Sequence, residues 1–267
     1  MTCPSHPDMA DDAPLFIVGS VRSGTTLTRD LLRRVPNFIC PEETHFFRWS
    51  EPFRTSASLH PFRNNPVLRQ HRRIDGVDDA SFAALLDQSQ TRAELQRRYI
   101  AAFARAKGVT GRYRWFDKTP QNIYGAALIA QQMPRARFVF LVRNPLNVVA
   151  SLQLGRQVTV ADLHGACNYW REAAEIFFTL RAAYPARFLQ VRYEDLVSDV
   201  PGVMATILTH AQLDVAPGLF HRHDAHPERN LWREVLSRSK AQVVHDHCAA
   251  SARRFGYDLA ADLAAPR

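Results

Sequence analysis

The chain has 267 residues, with 34 Lys and Arg against 26 Asp and Glu, for a formal net charge of +8. That length can bury a full core as one α/β domain, and an apolar fraction of 46% without low-complexity tracts excludes a disordered or fibrous chain. The four cysteines (Cys3, Cys40, Cys167, Cys248) are widely spaced with no C-x-x-C pair, which argues against a disulfide framework and a zinc site.

Residues 1–13 are polar and acidic without an apolar signal core, and read as a disordered tail ahead of a single domain at 14–267. The run Leu15-Phe16-Ile17-Val18 predicts a buried strand. Gly19 and Gly24 bracket a turn. Thr25 and Thr26 then open an amphipathic helix with Leu27, Leu31, Leu32 and Val35 on its apolar face. Such a junction binds anions, because free backbone N–H groups and the helix dipole point at one spot. The spacing Gly-x-x-x-x-Gly is that of a P-loop. Thr25 stands where a P-loop has its lysine, and the positive charge sits inside the loop at Arg22. The loop is therefore expected to hold a phosphate, but not in the Mg-nucleotide manner.

Next comes Pro41-Glu42-Glu43-Thr44-His45-Phe46-Phe47, a short strand or loop with paired acids; Phe46, Phe47 and Trp49 read as core or pocket wall. Residues 48–76 read as an irregular basic segment, a mobile surface stretch or a lid, with Arg48, Arg54, Arg63, Arg69, Arg72 and Arg73. Helices are expected over 79–88 and 91–107, then a strand from Tyr113 to Phe116 running into Asp117-Lys118-Thr119-Pro120. A helix at 121–132 precedes the clearest internal strand, Arg137 to Val142. Asn144-Pro145 stops that strand and starts a helix. A long helix at 160–183, a strand from Phe188 to Val191 ending in Arg192-Tyr193-Glu194-Asp195, and a helix at 200–211 follow. Residues 214–230 read as loop, and 234–254 as a last helix capped by Phe255-Gly256-Tyr257. The alternation predicts βαβ units and a central parallel sheet flanked by helices. Arg22, Lys118, Arg143 and Tyr193 each follow a predicted strand, where such sheets bind ligands.

A metal-dependent phosphate enzyme needs a carboxylate at the end of a neighbouring strand, but the 137–142 strand ends in Arg143. The expected site neutralises its anion with Arg and Lys, without a metal. A donor with two separate phosphates fits: one in the glycine loop, the other held by Arg143 and by Ser151, eight residues on. Lys118 carries extra weight as one of only three lysines.

This combination resembles the sulfotransferase superfamily, which uses 3′-phosphoadenosine 5′-phosphosulfate (PAPS) and releases 3′-phosphoadenosine 5′-phosphate (PAP). Arg22-Ser23-Gly24-Thr25-Thr26 looks like the 5′-phosphosulfate loop in its Arg form, the form of tyrosylprotein and many bacterial sulfotransferases. Phe140 to Ser151 is similar to the 3′-phosphate motif, with Arg143 and Ser151 matching its two anion contacts. Arg192-Tyr193-Glu194-Asp195-Leu196 and Phe255-Gly256-Tyr257 resemble two further family blocks. Asn144 departs from a common Asp. The resemblance implies a sulfotransferase fold, PAPS as donor, and Lys118 at the sulfuryl group. It also implies that Glu43, in a Glu-Glu-Thr like that of tyrosylprotein sulfotransferases, is the catalytic base, a role for which Glu42 and His45 compete. A base of this kind is expected to have a raised pKa. Tyr193 reads equally as a nucleotide contact or a core aromatic.

The acceptor implied is a tyrosine hydroxyl in an acidic peptide drawn by the arginines of 48–73. A small phenol, natural product or sugar is the nearest rival, and a P-loop kinase or a non-catalytic nucleotide-binding protein stands outside the class. No motif suggests nucleic acid, and no stretch is long enough to span a membrane. A bacterial cytoplasmic location is expected, and a second copy of the chain is kept as a candidate partner.

Overall fold

A computed structural model of the chain describes residues 13–48, 51–155, 160–215 and 218–265. The tail expected over 1–13 lies outside these residues apart from Ala13, which is buried, and so does Trp49. Strand β1 (Leu15–Gly19) leads into helix α1 (Thr25–Leu32), and a two-residue strand, β2 (Phe38–Ile39), follows. Four helices come next: α2 (Ser56–Asn64), α3 (Pro66–Asp75), α4 (Asp79–Gln88) and α5 (Arg92–Ala106). After β3 (Arg114–Lys118), a 3-10 turn at Pro120–Gly125 runs into α6 (Ala126–Gln132). Then come β4 (Arg137–Val142), α7 (Pro145–Leu154), α8 (Leu163–Ala183) and β5 (Phe188–Arg192). The chain ends with α9 (Tyr193–Ser198), α10 (Val200–His210), α11 (Trp232–Val235), α12 (Arg238–Arg254) and α13 (Leu259–Ala264). The strands form one parallel five-stranded sheet in the order β2-β3-β1-β4-β5, flanked by helices.

The irregular segment expected at 48–76 is instead largely helical. Two capping signals explain it. Thr55 accepts the Ser58 N–H at the start of α2. Asn65 accepts from Val67 and Leu68, with Pro66 at the first position of α3, and Gly76 closes that helix with φ 81°. The short helices α9, α11 and α13 are further additions to the elements expected from the sequence. The last is started by Asp258, which accepts from Ala260 and Ala261.

Contacts divide the chain into two compact units, the first made of residues up to Ile17 with Thr28–Phe138, the second of Val18–Leu27 with Val139–Arg267. In the first, β1 pairs in parallel with β3, Ile17 opposite Lys118, and Phe38 of β2 lies opposite Arg114. Phe16 is its centre, 5.7 to 6.3 Å from the rings of Phe47, Trp115 and Phe138. Each such buried ring is worth about 2–3 kcal/mol. The buried Arg92 donates to the carbonyls of Phe46 and Glu51, which fixes the path of the chain after the paired acids. In the second unit, α7, α8 and α12 pack together over a stack of Phe140 on Phe177 at 4.2 Å and Phe178 on Phe255 at 4.4 Å. That stack explains why the block beginning at Phe255 reads as part of the fold.

Candidate functional site

The glycine loop belongs to the second unit. Gly19 ends β1 against the Leu141 carbonyl, so closely that a Cβ there would collide with it. The loop then turns through Arg22 at φ 68°, a left-handed conformation that costs a non-glycine residue about 1 kcal/mol or more. That turn leaves Arg22 exposed while Ser23 and Thr25 are buried. The hydroxyl of Ser23 is buried without a hydrogen-bond partner. Gly24, at φ 87°, lies on the ring of Tyr193, and a Cβ would enter that ring. Thr26 is exposed on the first turn of α1.

Three sequence blocks meet here. Arg22 donates through Nε to Ser151 Oγ at 2.9 Å. Arg143 donates through Nη1 to the Arg22 carbonyl at 3.2 Å. Its guanidinium lies 4.6 Å from the centre of the Tyr193 ring. Arg143, Ser151, Tyr193 and the loop thus form one contiguous group. Burial pushes the Tyr193 hydroxyl up, against the opposing pull of Arg143. The group also contains a residue that sequence reasoning missed. Glu228 accepts both Nε and Nη2 of Arg143, at 2.6 and 2.7 Å.

The base of this group is braced by the remaining family blocks. Asn144 caps α7 by accepting from Leu146 and donates to Asp262, while its own N–H reaches Glu194. The hydroxyl of Tyr257 donates to the other oxygen of Glu194 at 2.6 Å. Glu194 and Tyr257 therefore clamp the end of β4, where Arg143 begins.

The paired acids belong to the first unit. Glu42 is committed to Arg29 and Arg33, at 2.9 and 3.1 Å, and its N–H to Asp75. Burial would raise its carboxyl, but the two arginines hold it below the usual range. Glu43 takes the Lys118 ammonium on one oxygen and faces Nε2 of His45 at 3.3 Å on the other. Burial again pushes its carboxyl upward. The hydrogen bond to His45 and the charge of Lys118 outweigh that and bring it down to about 2. The raised pKa expected of this residue is thus not what its surroundings give. His45, at φ 55°, is buried, and its Nδ1 lacks a partner. The neighbouring His71 contacts the Glu43 carbonyl through Nδ1 at 3.0 Å.

Asp117, one residue before Lys118, is a second unforeseen member. The Thr44 hydroxyl donates to one of its oxygens at 2.6 Å, with Gln96 at 3.3 Å, and Asn122 donates to the other at 3.0 Å. Thr119 Oγ1 accepts the Thr44 N–H at 3.0 Å. Thr44 is thus bonded to the residues on both sides of Lys118, so Glu43 and Lys118 are positioned by the same network. The run of three polar residues, Asp117-Lys118-Thr119, directly after the apolar Trp115-Phe116 was the available signal.

The arginines expected to attract an acidic peptide have partners close by. Arg63 pairs with Asp87, Arg69 and the buried Arg72 with Asp79, and Arg54 donates to the carbonyls of Asp87 and Ser89. These four do not form a free cationic face. Among the described residues no helix is long and apolar enough to cross a membrane.

Known proteins resemble the chain in family and in fold. The model of the Sulfotransferase family matches residues 14–217. The omega-hydroxy-beta-dihydromenaquinone-9 sulfotransferase Stf3 of Mycobacterium bovis is 23% identical, over 92% of this chain and 76% of that protein. Protein-tyrosine sulfotransferase 1 of Danio rerio is 27% identical, over 80% of this chain and 57% of that protein. Among solved structures, the sulfotransferase domain of the Synechococcus PCC 7002 olefin synthase superposes with a TM-score of 0.61 at 23% identity, covering 96% of this chain and 98% of that one.

Proposed function

The chain belongs to the sulfotransferase family, and from that premise we propose that it transfers a sulfuryl group from PAPS to an acceptor hydroxyl. One observation carries the proposal: Arg22, Ser151 and Arg143, from two separate blocks, are joined by hydrogen bonds beside a glycine loop. The residues present fit a donor with two anionic ends. The unpaired, buried Ser23 hydroxyl and the exposed Arg22 suit the phosphosulfate, and Arg143 and Ser151 suit the 3′-phosphate. The donor supplies an activated sulfuryl group on an anionic leaving group that needs little proton help. The chain supplies charge neutralisation and a proton acceptor.

Glu43 is proposed as that acceptor, with Glu42 held elsewhere by Arg29 and Arg33. Its low pKa keeps it ionised but makes it a weak base while Lys118 stays on it. Lys118 is therefore proposed to act twice. Its ammonium neutralises charge at the sulfuryl group, and its withdrawal from Glu43 lets that carboxylate take up a proton.

The acceptor is proposed as a tyrosine hydroxyl of a peptide or protein, supported by Glu42-Glu43-Thr44 and by the similarity to the Danio rerio enzyme. A small hydroxylated acceptor is the second reading, favoured by the internal ion pairs of Arg63, Arg69 and Arg72 and by the similarity to the mycobacterial enzyme. Incubation with sulfur-labelled PAPS and a panel of tyrosine peptides, phenols, quinols and sugars tests both. Label on peptides alone supports the first reading, and label on small molecules alone overturns it. Thermal stabilisation by PAP is expected, since a ligand bound only by the folded state must raise its melting temperature. Absence of both label and stabilisation would overturn the proposal.

A further inference from the structure

Arg143 carries the anion subsite beside the glycine loop, yet two of its donors already have a carboxylate. Glu228 accepts from Nε at 2.6 Å and from Nη2 at 2.7 Å, a bidentate fork in which both side chains are largely buried, 16% and 11% exposed. The pair is built rather than incidental. The backbone N–H groups of Arg229 and Asn230 both donate to Glu228 Oε1, at 2.8 and 3.2 Å, which fixes the rotamer. Asn230 is tied in turn to Asn147 of α7 at 3.2 Å, and Asn147 accepts the Trp232 N–H. The segment bearing Glu228 is thus fastened to the helix that follows Arg143.

A phosphate that takes the Nε and Nη2 donors of Arg143 competes with Glu228 for them, and two anions on one guanidinium repel each other. We infer that Glu228 sets the donor affinity of this site, as a resident carboxylate that the 3′-phosphate of the nucleotide must displace from Arg143. The inference rests on the PAPS reading above. Displacement weakens PAPS and PAP alike, because both carry the 3′-phosphate. The result is a higher KM for the donor and faster loss of the product nucleotide. A nucleotide with only a 5′-phosphate leaves the pair intact and gains nothing from Arg143. Charge alone accounts for the weakening, and no covalent step is involved.

The test compares PAP with adenosine 5′-phosphate by isothermal calorimetry on the full chain and its E228Q variant. The substituted amide keeps an oxygen for the Arg229 and Asn230 N–H groups and removes the charge. The expected result is about tenfold tighter PAP binding in E228Q, with affinity for adenosine 5′-phosphate unchanged. In the R143A background, E228Q should no longer alter PAP affinity. E228A repeats the test if the amide is poorly tolerated, melting temperature serving as the check of folding. PAP binding that is unchanged or weaker in a folded Glu228 variant overturns the inference while leaving the PAPS reading intact. Failure of the wild-type chain to bind PAP overturns that reading, and this inference with it.

Discussion

Lys118 and Glu43 form an ion pair in which the lysine is almost wholly buried and the carboxylate about a quarter exposed. The pair joins the end of β3 to the loop after β2, and His45 holds the second carboxylate oxygen at 3.3 Å. A carboxyl of the folded chain at about 2 lies below its ordinary value near 4.3. The folded state is therefore stabilised by Glu43 above about pH 5, and that contribution is lost as pH falls toward 2. E43Q removes it and leaves a buried ammonium unpaired, at a cost on the order of 3 kcal/mol at neutral pH. Urea denaturation of wild type and E43Q should show a gap that is widest at pH 7 and narrows steadily below pH 5. A gap independent of pH would refute the assignment.

Removal of Lys118 acts in the opposite sense on the same carboxylate. Without the ammonium, burial opposes ionisation of Glu43 with less to balance it. In K118M the Glu43 carboxyl should titrate at least one pH unit higher than in the wild type. Carbon NMR of labelled glutamate side chains reads this directly, without any activity. Sulfuryl transfer by K118M and by E43Q should each fall about a hundredfold or more, within the usual range for loss of a general base or a charge-stabilising group.

Asp117 carries the polar network that positions both residues. D117A strands the Thr44 hydroxyl, Gln96 and Asn122 in a buried site, so destabilisation of about 3 kcal/mol is expected. D117N keeps an oxygen for Thr44 and should cost less. Denaturant midpoints of the two variants provide the comparison. Equal midpoints for D117A and wild type would remove Asp117 from the network.

Much of this arrangement was legible in the sequence, and the reason is local. Strand β1, its glycine turn and the Thr25-Thr26 helix start depend on residues within a dozen positions, and so does the Asn144-Pro145 helix start. The irregular structure expected at 48–76 failed because its many charged residues hid two helix caps at Thr55 and Asn65. The pairings that matter most are long-range. Glu228 lies 85 residues from Arg143, and Thr44 lies 73 from Asp117. No periodicity or spacing reports such a contact. The expected pKa of Glu43 failed for the same reason. It depends on Lys118, 75 residues away, and on a buried histidine whose backbone is left-handed.

Gly24 tests the loop from its backbone side. Its φ of 87° and the Tyr193 ring where a Cβ would stand both exclude an alanine. G24A should lose about 2–3 kcal/mol, the sum of a strained left-handed residue and overpacking against the ring. The ring cannot yield freely, since Arg143 lies 4.6 Å from its centre. PAP binding should therefore weaken in G24A even where the fold survives, as read by calorimetry below the melting temperature. Unchanged PAP affinity would place the nucleotide away from this loop.

Ser151 separates phosphate binding from folding. Its hydroxyl accepts Arg22 Nε at 2.9 Å and sits on the second turn of α7, where a serine loses little by becoming alanine. S151A should leave the melting temperature within about a degree or two, because the exposed Arg22 can turn to water. PAP affinity is another matter. The variant removes both a hydroxyl placed to donate to phosphate and the contact that orients the Arg22 guanidinium. A charge-assisted hydrogen bond is worth about 1.5–3 kcal/mol, so a ten- to hundredfold loss of PAP affinity is expected at constant stability. R22K would keep the charge but not the planar fork, and should fall between S151A and R22A. A calorimetric titration of the three variants gives the order. If S151A binds PAP as the wild type does, the contact between Arg22 and Ser151 is a fold contact only.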